Sequence, residues 1–264
     1  TGTIAASSSL GILIPPSILL VFMSDMLGIS EGVLFASALF PGLTLSALYM
    51  VYILAVSTVF PRLCPVIDKR AAGPSATELF DLITRGIIPP MVLIAMVLGS
   101  VFAGITTITE SAAVGVLGTV FLARMRGRLS LADLNDCLQR AAMMMGMIFL
   151  LFGSAMCFSY VFRVLGGDEI VMQLIGVGRL EGPQVLIILM LAIFLMGFFF
   201  DILEILLVVV PIFAPIVGQL DFGDHVAEAD MIYWFAMLVA VNLQTSFLTP
   251  PMGIALFYMK SAAP

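Results

Sequence analysis

Two stretches of this sequence set hydroxyl side chains just ahead of paired prolines in otherwise apolar surroundings. SSSLGILIPPS carries Ser7, Ser8 and Ser9 before Pro15 and Pro16, and QTSFLTPPMG carries Thr245, Ser246 and Thr249 before Pro250 and Pro251. Proline has no amide hydrogen and disfavours helical backbone in the residue before it, so each pair interrupts a helix and frees carbonyls of the preceding turn. Inside a bilayer a freed carbonyl is costly unless satisfied. A hard cation satisfies several at once, with nearby hydroxyls completing its shell. The plainer alternative is a proline kink whose hydroxyls bond back to their own helix.

Three carboxylates, Glu110, Asp201 and Glu204, fall in or beside apolar segments. At a helix centre each would cost about 2.5–3.5 kcal/mol and require a partner or a water-filled cavity. Asp201 and Glu204 are three apart and share a helix face, next to the bend expected after GFFFDILE, where they are either hydrated or part of an ion site. Glu110, in the turn TTITES, equally suits the N-terminus of a helix beginning near Ser111, since carboxylates are favoured there. Enzyme chemistry finds no footing. His225 is the only histidine and lies in an acidic loop, so no base stands beside a serine or cysteine nucleophile. GxSxG, HExxH and P-loop patterns are absent from the sequence. Cys64, Cys137 and Cys157 show no CxxC spacing and imply neither a disulfide framework nor a zinc site. The methionines of AAMMMGM, residues 141–147, suit flexible packing on a helix face.

The element that must position these groups is a membrane-embedded helix. Of 264 residues, 61% are hydrophobic and 11% charged, against roughly 45–50% and about 25% in soluble domains, and the mean hydropathy is +1.18. Stretches 1–24, 32–61, 86–109, 141–162, 182–200 and 231–259 lack charge and each reaches the roughly 18 residues that read as a span. Helices follow, because the bilayer core offers an unpaired peptide group no partner. The net charge of −6 is dispersed over short loops and gives nucleic acid nothing to bind. No basic n-region or cleavage site precedes the first apolar stretch, which suggests a piece of a longer chain rather than a signal peptide.

Lysine and arginine assign the sides, since short cytoplasmic loops carry the excess. Residues 62–85 hold Arg62, Lys69, Arg70 and Arg85, and residues 124–140 hold Arg124, Arg126, Arg128 and Arg140, so both are expected in the cytoplasm. Residues 221–230 carry Asp221, Asp224, Glu228 and Asp230 without a basic residue and are expected outside, as is a loop over 164–182. Residues 86–163 then form scaffold spans, two limbs of which meet at the turn 106–111. Residues 183–220 are too short for two independent spans: the second limb covers about 24 Å against roughly 30 Å of hydrocarbon. A re-entrant hairpin bending between residues 201 and 207 is expected instead. The broken helix over 9–28, within a first repeat ending at residue 61, and the one over 231–261 run in opposite directions. Paired interrupted helices of this kind mark an inverted repeat with a substrate and ion site near the midplane.

SSSLGILIPPSILLVF, GITTITESAAVGVLG, FLMGFFFDILEILLVVVPIFAPIV and NLQTSFLTPPMGIALFYMK, in that order, resemble the large membrane (M, DctM-like) subunit of tripartite ATP-independent periplasmic, or TRAP, transporters over essentially the whole chain. The resemblance implies an all-α polytopic bundle with a re-entrant hairpin and broken helices, part of an inverted-repeat, elevator-type secondary transporter in the bacterial inner membrane. It implies import of an organic acid delivered by a periplasmic binding protein (P), a small partner membrane subunit (Q), and sodium as coupling ion with no other cofactor. By position, residues 201–215 belong to an outer hairpin, residues 242–251 to the broken helix facing it, and residues 9–16 to the equivalent inner element. Sodium is then expected at Ser9, Gly11, Ser246, Thr249 and Asp201, and substrate at Asn242, Thr245, Thr109 and Glu110.

Two departures qualify the resemblance. The family's usual TPTEAA stands here as TITESAA, which loses a proline at Ile108 and retains Glu110. Family members also begin with a first half that this chain lacks, including the inner hairpin tip. The chain is therefore expected to be either the C-terminal portion of a transporter or a truncated, transporter-derived structural subunit of a larger membrane complex. The topology has a direct test in intact cells. A cysteine placed at Asp224 should react with an impermeant reagent while one at Arg126 stays protected, and the reverse pattern would overturn the assignment.

Overall fold

The computed structural model describes residues 2–60, 75–127, 129–178, 181–223 and 226–251, with 253, 255–256 and 259–260. Among these residues every regular element is helical, and six helices are long and apolar enough to cross a membrane. The chain divides into two units. One comprises residues 1–49 and 144–264. It holds α1 (Gly2–Leu13), α2 (Ile18–Leu27), the first part of α3 (Glu31–Val59), the later part of α7 (Leu131–Val164), α8 (Gly167–Val177), α9 (Gly182–Met196), α10 (Ile202–Val217) and α11 (Met231–Leu248). The other, residues 50–143, holds α4 (Ala76–Leu82), a π-turn (Ile83–Ile87), α5 (Ile88–Phe102) and α6 (Ile108–Met125) with the remainders of α3 and α7.

In the first unit α10 is the core. It packs on α2, α8, α9 and α11, and its side chains from Ile202 to Val217 are largely buried. Prolines inside α10 would leave carbonyls unsatisfied there. Pro215 cannot bond the carbonyl of Pro211, and Arg163 of α7 takes that place, its Nη2 donating to the Pro211 oxygen at 3.1 Å. The same device recurs at the first interruption, where Pro16 cannot bond Ile12 and the Ser17 hydroxyl donates to the Ile12 carbonyl instead. Gly42 brings α3 up against that interruption, since a Cβ there would lie 2.8 Å from Ile14 Cγ1.

The second unit is mostly exposed, with Ser111 buried in α6 and long apolar side chains on its surface. Pro89 and Pro90 follow the π-turn. The carbonyl that Pro89 leaves free, on Arg85, accepts from Arg126 Nη2. Helices α5 and α6 pack as a close antiparallel pair because Gly118 and Gly115 admit Leu93 and Val97. Their connection is tied by hydroxyls: Ser100 Oγ lies 2.9 Å from Ser111 Oγ and accepts from Thr106 Oγ1 at 2.9 Å. Ion pairs among the described residues are Asp81–Arg85 and Asp136–Arg140, both one turn apart and exposed.

Several boundaries differ from expectation, each for a local reason. Residues 62–85 do not stay a loop: a Ser75–Glu78 capping box starts α4, whereas residues 61–74 lie outside the described set. Residues 164–182 contain α8, entered through Gly166 with positive φ. Helix α6 starts at Ile108 rather than near Ser111, because Thr107 is its cap. The hairpin bends over residues 197–201, ahead of the expected 201–207, because Asp201 is already the N-cap of α10.

The proline rule generates a prediction. Replacing Arg163 by Met should lower the thermal unfolding temperature of the purified protein, by the about 1–3 kcal/mol of an orphaned buried carbonyl. Pro215→Ala restores a helical amide and should make Arg163→Met nearly silent; equal losses in both backgrounds would show that Arg163 does not serve that carbonyl.

Candidate ion and substrate site

Chemistry gathers where α1 and α11 pack against each other. Helix α1 ends at Leu13 and the chain resumes helix at Ile18, while α11 ends at Leu248 with Thr249 extended (φ −107°, ψ 122°). Both proline pairs, Pro15–Pro16 and Pro250–Pro251, are joined by cis peptides. Counting back from the first proline of each pair gives matching positions: four back lie Gly11 and Ser246, six back Ser9 and Gln244, eight back Ser7 and Asn242. The helical bond runs from residue i to i−4, so Pro15 denies an amide to the Gly11 carbonyl and Pro250 denies one to Ser246. The two interruptions thus present equivalent freed oxygens.

The hairpin closes on α11 alongside these. Asn242 Nδ2 donates to the Met190 carbonyl of α9 at 2.7 Å. One turn on, Ser246 faces the bend, where a Cβ on Gly197 would come within 2.8 Å of its Cβ. Ser246 is buried and its hydroxyl donates to the Leu243 carbonyl at 2.6 Å. Thr245 Oγ1 donates to the Asn242 carbonyl at 2.7 Å, and Thr249 Oγ1 donates to that of Thr245. Each of these hydroxyls spends its hydrogen on the backbone, and its oxygen can still accept or coordinate. Ser9 is fully buried, its Oγ donating to the Ala6 carbonyl at 2.8 Å, whereas Gly11 is exposed with open space about it.

Asn242, Thr245, Ser246 and Thr249 therefore lie together toward the end of α11, and Ser9 is buried in α1, which packs on that helix, whereas the structure does not bury Gly11 with them. Asp201 sits at the bend, half-buried, and its amide donates to Glu204 Oε2 at 3.4 Å, so this acid pair serves the start of α10. Thr109 and Glu110 belong to α6 of the second unit. Thr107 N donates to Glu110 Oε2 at 2.8 Å and Glu110 N to Thr107 Oγ1 at 3.3 Å, a reciprocal cap. Ile108 is the first residue of that helix, a position that takes proline without loss, so the missing family proline leaves the cap intact. Ser17, Gln244 and Gly197 escaped the sequence reading. Ser17 and Gln244 had a signal in their spacing from the prolines; Gly197 had none.

Fold and site together define an all-α polytopic membrane protein in which two interrupted helices pack together beside a short-limbed hairpin. The model of the family described as "Tripartite ATP-independent periplasmic transporter, DctM component" matches residues 1–264, and the chain belongs to that family. It is 28% identical over 259 residues to the C4-dicarboxylate TRAP transporter large permease protein of Pseudomonas aeruginosa, covering 97% of this chain and 57% of that one. It is 26% identical over 257 residues to the ectoine/5-hydroxyectoine TRAP transporter large permease protein of Ruegeria pomeroyi, covering 96% and 56%. With the isethionate TRAP transporter permease protein DctMQ of Oleidesulfovibrio alaskensis it shares 28% identity over 264 residues, covering 98% and 39%. The chain spans about half the length, or less, of these relatives.

The Gly197 contact is testable in the purified protein. Gly197→Ala should destabilise it by about 1–3 kcal/mol, the usual cost of overpacking, and adding Ser246→Gly should recover most of the loss. An additive double mutant would mean that the two residues do not meet.

Proposed function

We propose that this chain is the ion- and substrate-handling portion of a TRAP transporter large permease, importing an organic acid across a bacterial inner membrane on the sodium gradient. One observation carries the reading: two broken helices pack together, and the first proline of each pair frees a carbonyl at a matched position, Gly11 and Ser246, the second beside the hydroxyls of Thr245, Ser246 and Thr249. Neutral oxygens freed from helix bonding are the ligands that a dehydrated monovalent cation requires. On this reading Ser9, Gly11, Ser246 and Thr249 contact sodium, with Asp201 at the hairpin bend contributing charge. Asn242 and Thr245 meet the substrate, as by the family resemblance do Thr109 and Glu110.

The names of the relatives support the class of cargo and leave its identity open, since they name a C4-dicarboxylate, an ectoine and isethionate. A periplasmic binding protein would deliver the acid, a small membrane subunit would complete the permease, and the hairpin unit would move in an elevator cycle. Thr249→Val keeps the shape at the second interruption and removes one oxygen. In the full-length, assembled transporter it should raise the sodium concentration for half-maximal organic-acid uptake about tenfold, or 1.4 kcal/mol, with little loss of assembled protein. An unchanged sodium dependence would reduce the interruption to a kink.

A further inference from the structure

Helix α10 contains a second freed carbonyl. Pro211 has no amide hydrogen, so the Leu207 oxygen one turn earlier lacks its helical donor, as the Pro211 oxygen does because of Pro215. Leu207 is buried, and a buried carbonyl in a membrane helix is satisfied by a neighbouring side chain or an ordered water. A donor without an acceptor lies on the adjacent helix. Ser159 of α7 is 3% exposed, and its Oγ has no hydrogen-bond partner among the described residues. A helical serine commonly gives its hydrogen to the carbonyl of the preceding turn, as Ser154 of the same helix does to Leu150 at 2.8 Å. Ser159 does not, and a buried hydroxyl left unpaired is destabilising.

Two contacts fix how α7 and α10 lie along one another, and this pair falls between them. Ala155 and Phe158 of α7 line one cavity with Leu207 and Val208 of α10. Further along, Arg163 Nη2 reaches the Pro211 carbonyl at 3.1 Å. The two helices therefore advance in the same direction and in step. Ser159 stands one turn before Arg163, and Leu207 one turn before Pro211. Hydroxyl and carbonyl thus repeat, one turn earlier, the rung that guanidinium and carbonyl make. An arginine side chain spans the space between the helices, whereas a serine side chain is too short to do so. The cavity beside this rung measures about 220 Å³, against the about 30 Å³ that one water occupies.

We propose that one buried water molecule joins the two, accepting the hydrogen of Ser159 Oγ and donating one of its own to the Leu207 carbonyl. Water fits because both groups are neutral and a single bridging atom must accept on one side and donate on the other. Ser159 is then a positioning residue for the second limb of the hairpin, which α7 holds by two rungs, one direct through Arg163 and one through water. The inference stands on packing and does not depend on sodium. The test uses the full-length, assembled transporter in detergent. Ser159→Ala should lower its thermal unfolding temperature by about 2–4 °C, and the loss should vanish in a Pro211→Ala background, where the restored amide serves Leu207. Equal losses in both backgrounds, or none in either, would overturn the proposal. A density map fine enough to show ordered water should place a peak about 2.7–3.2 Å from both oxygens. A Ser159 hydroxyl bonded directly to that carbonyl, or no peak between them, would overturn the water, and this map alone decides should Pro211→Ala not fold.

Discussion

Proline's missing amide hydrogen is the constraint on which the structure turns. In water a carbonyl without a helical partner is solvated at little cost, whereas in lipid it must find a donor or a ligand. The chain answers in two ways. Where a proline lies within a packed helix or beside a turn, a side chain supplies the donor: Arg163 for Pro211, Arg126 for Arg85 and Ser17 for Ile12. At the two matched interruptions the first proline of each pair frees Gly11 and Ser246, the former in an exposed part of α1 and the latter beside the hydroxyls of Thr245, Ser246 and Thr249. The division separates carbonyls that a side chain serves, at Pro16 as well as in α10 and at the start of α5, from the two freed by Pro15 and Pro250.

Burial follows the same division. Helix α10 carries two internal prolines and is the most enclosed element of its unit, and a neighbouring guanidinium serves the carbonyl that the second of them frees. The α5–α6 pair has an intact ladder and repairs only its entrance, so it can present apolar side chains outward with Ser111 alone buried in α6. An intact helix needs nothing from its surroundings but apolarity, and a broken one needs specific neighbours.

Much of this was legible in the sequence, and the limits have physical causes. Charge-free stretches and paired prolines give the helical class and the two interruptions, since both depend on local composition. The hairpin was expected and its bend misplaced, because Asp201 and Glu204 read as a bend motif when they are a helix start. Helix α8 was missed because Asp168 and Glu169 lend a loop's composition to a first turn. The amide of Gln244, unpaired among the described residues, could be suspected from its spacing, yet only packing reveals that it is buried. The approach of Gly197 to Ser246 joins positions 49 residues apart, and no local pattern encodes it.

The placement of the ion pairs has a consequence for how the molecule senses its medium. Both recorded pairs, Asp81–Arg85 and Asp136–Arg140, are exposed and lie in the second unit, where added salt screens them. Among the described residues the unit built around α10 is held by apolar contact and short-range hydrogen bonds alone, which the Debye length barely touches. On the proposed reading, ionic strength and ion identity would act on different parts of this chain. The first is felt through screening in the α4–α7 region, and the second would be felt only where oxygens converge.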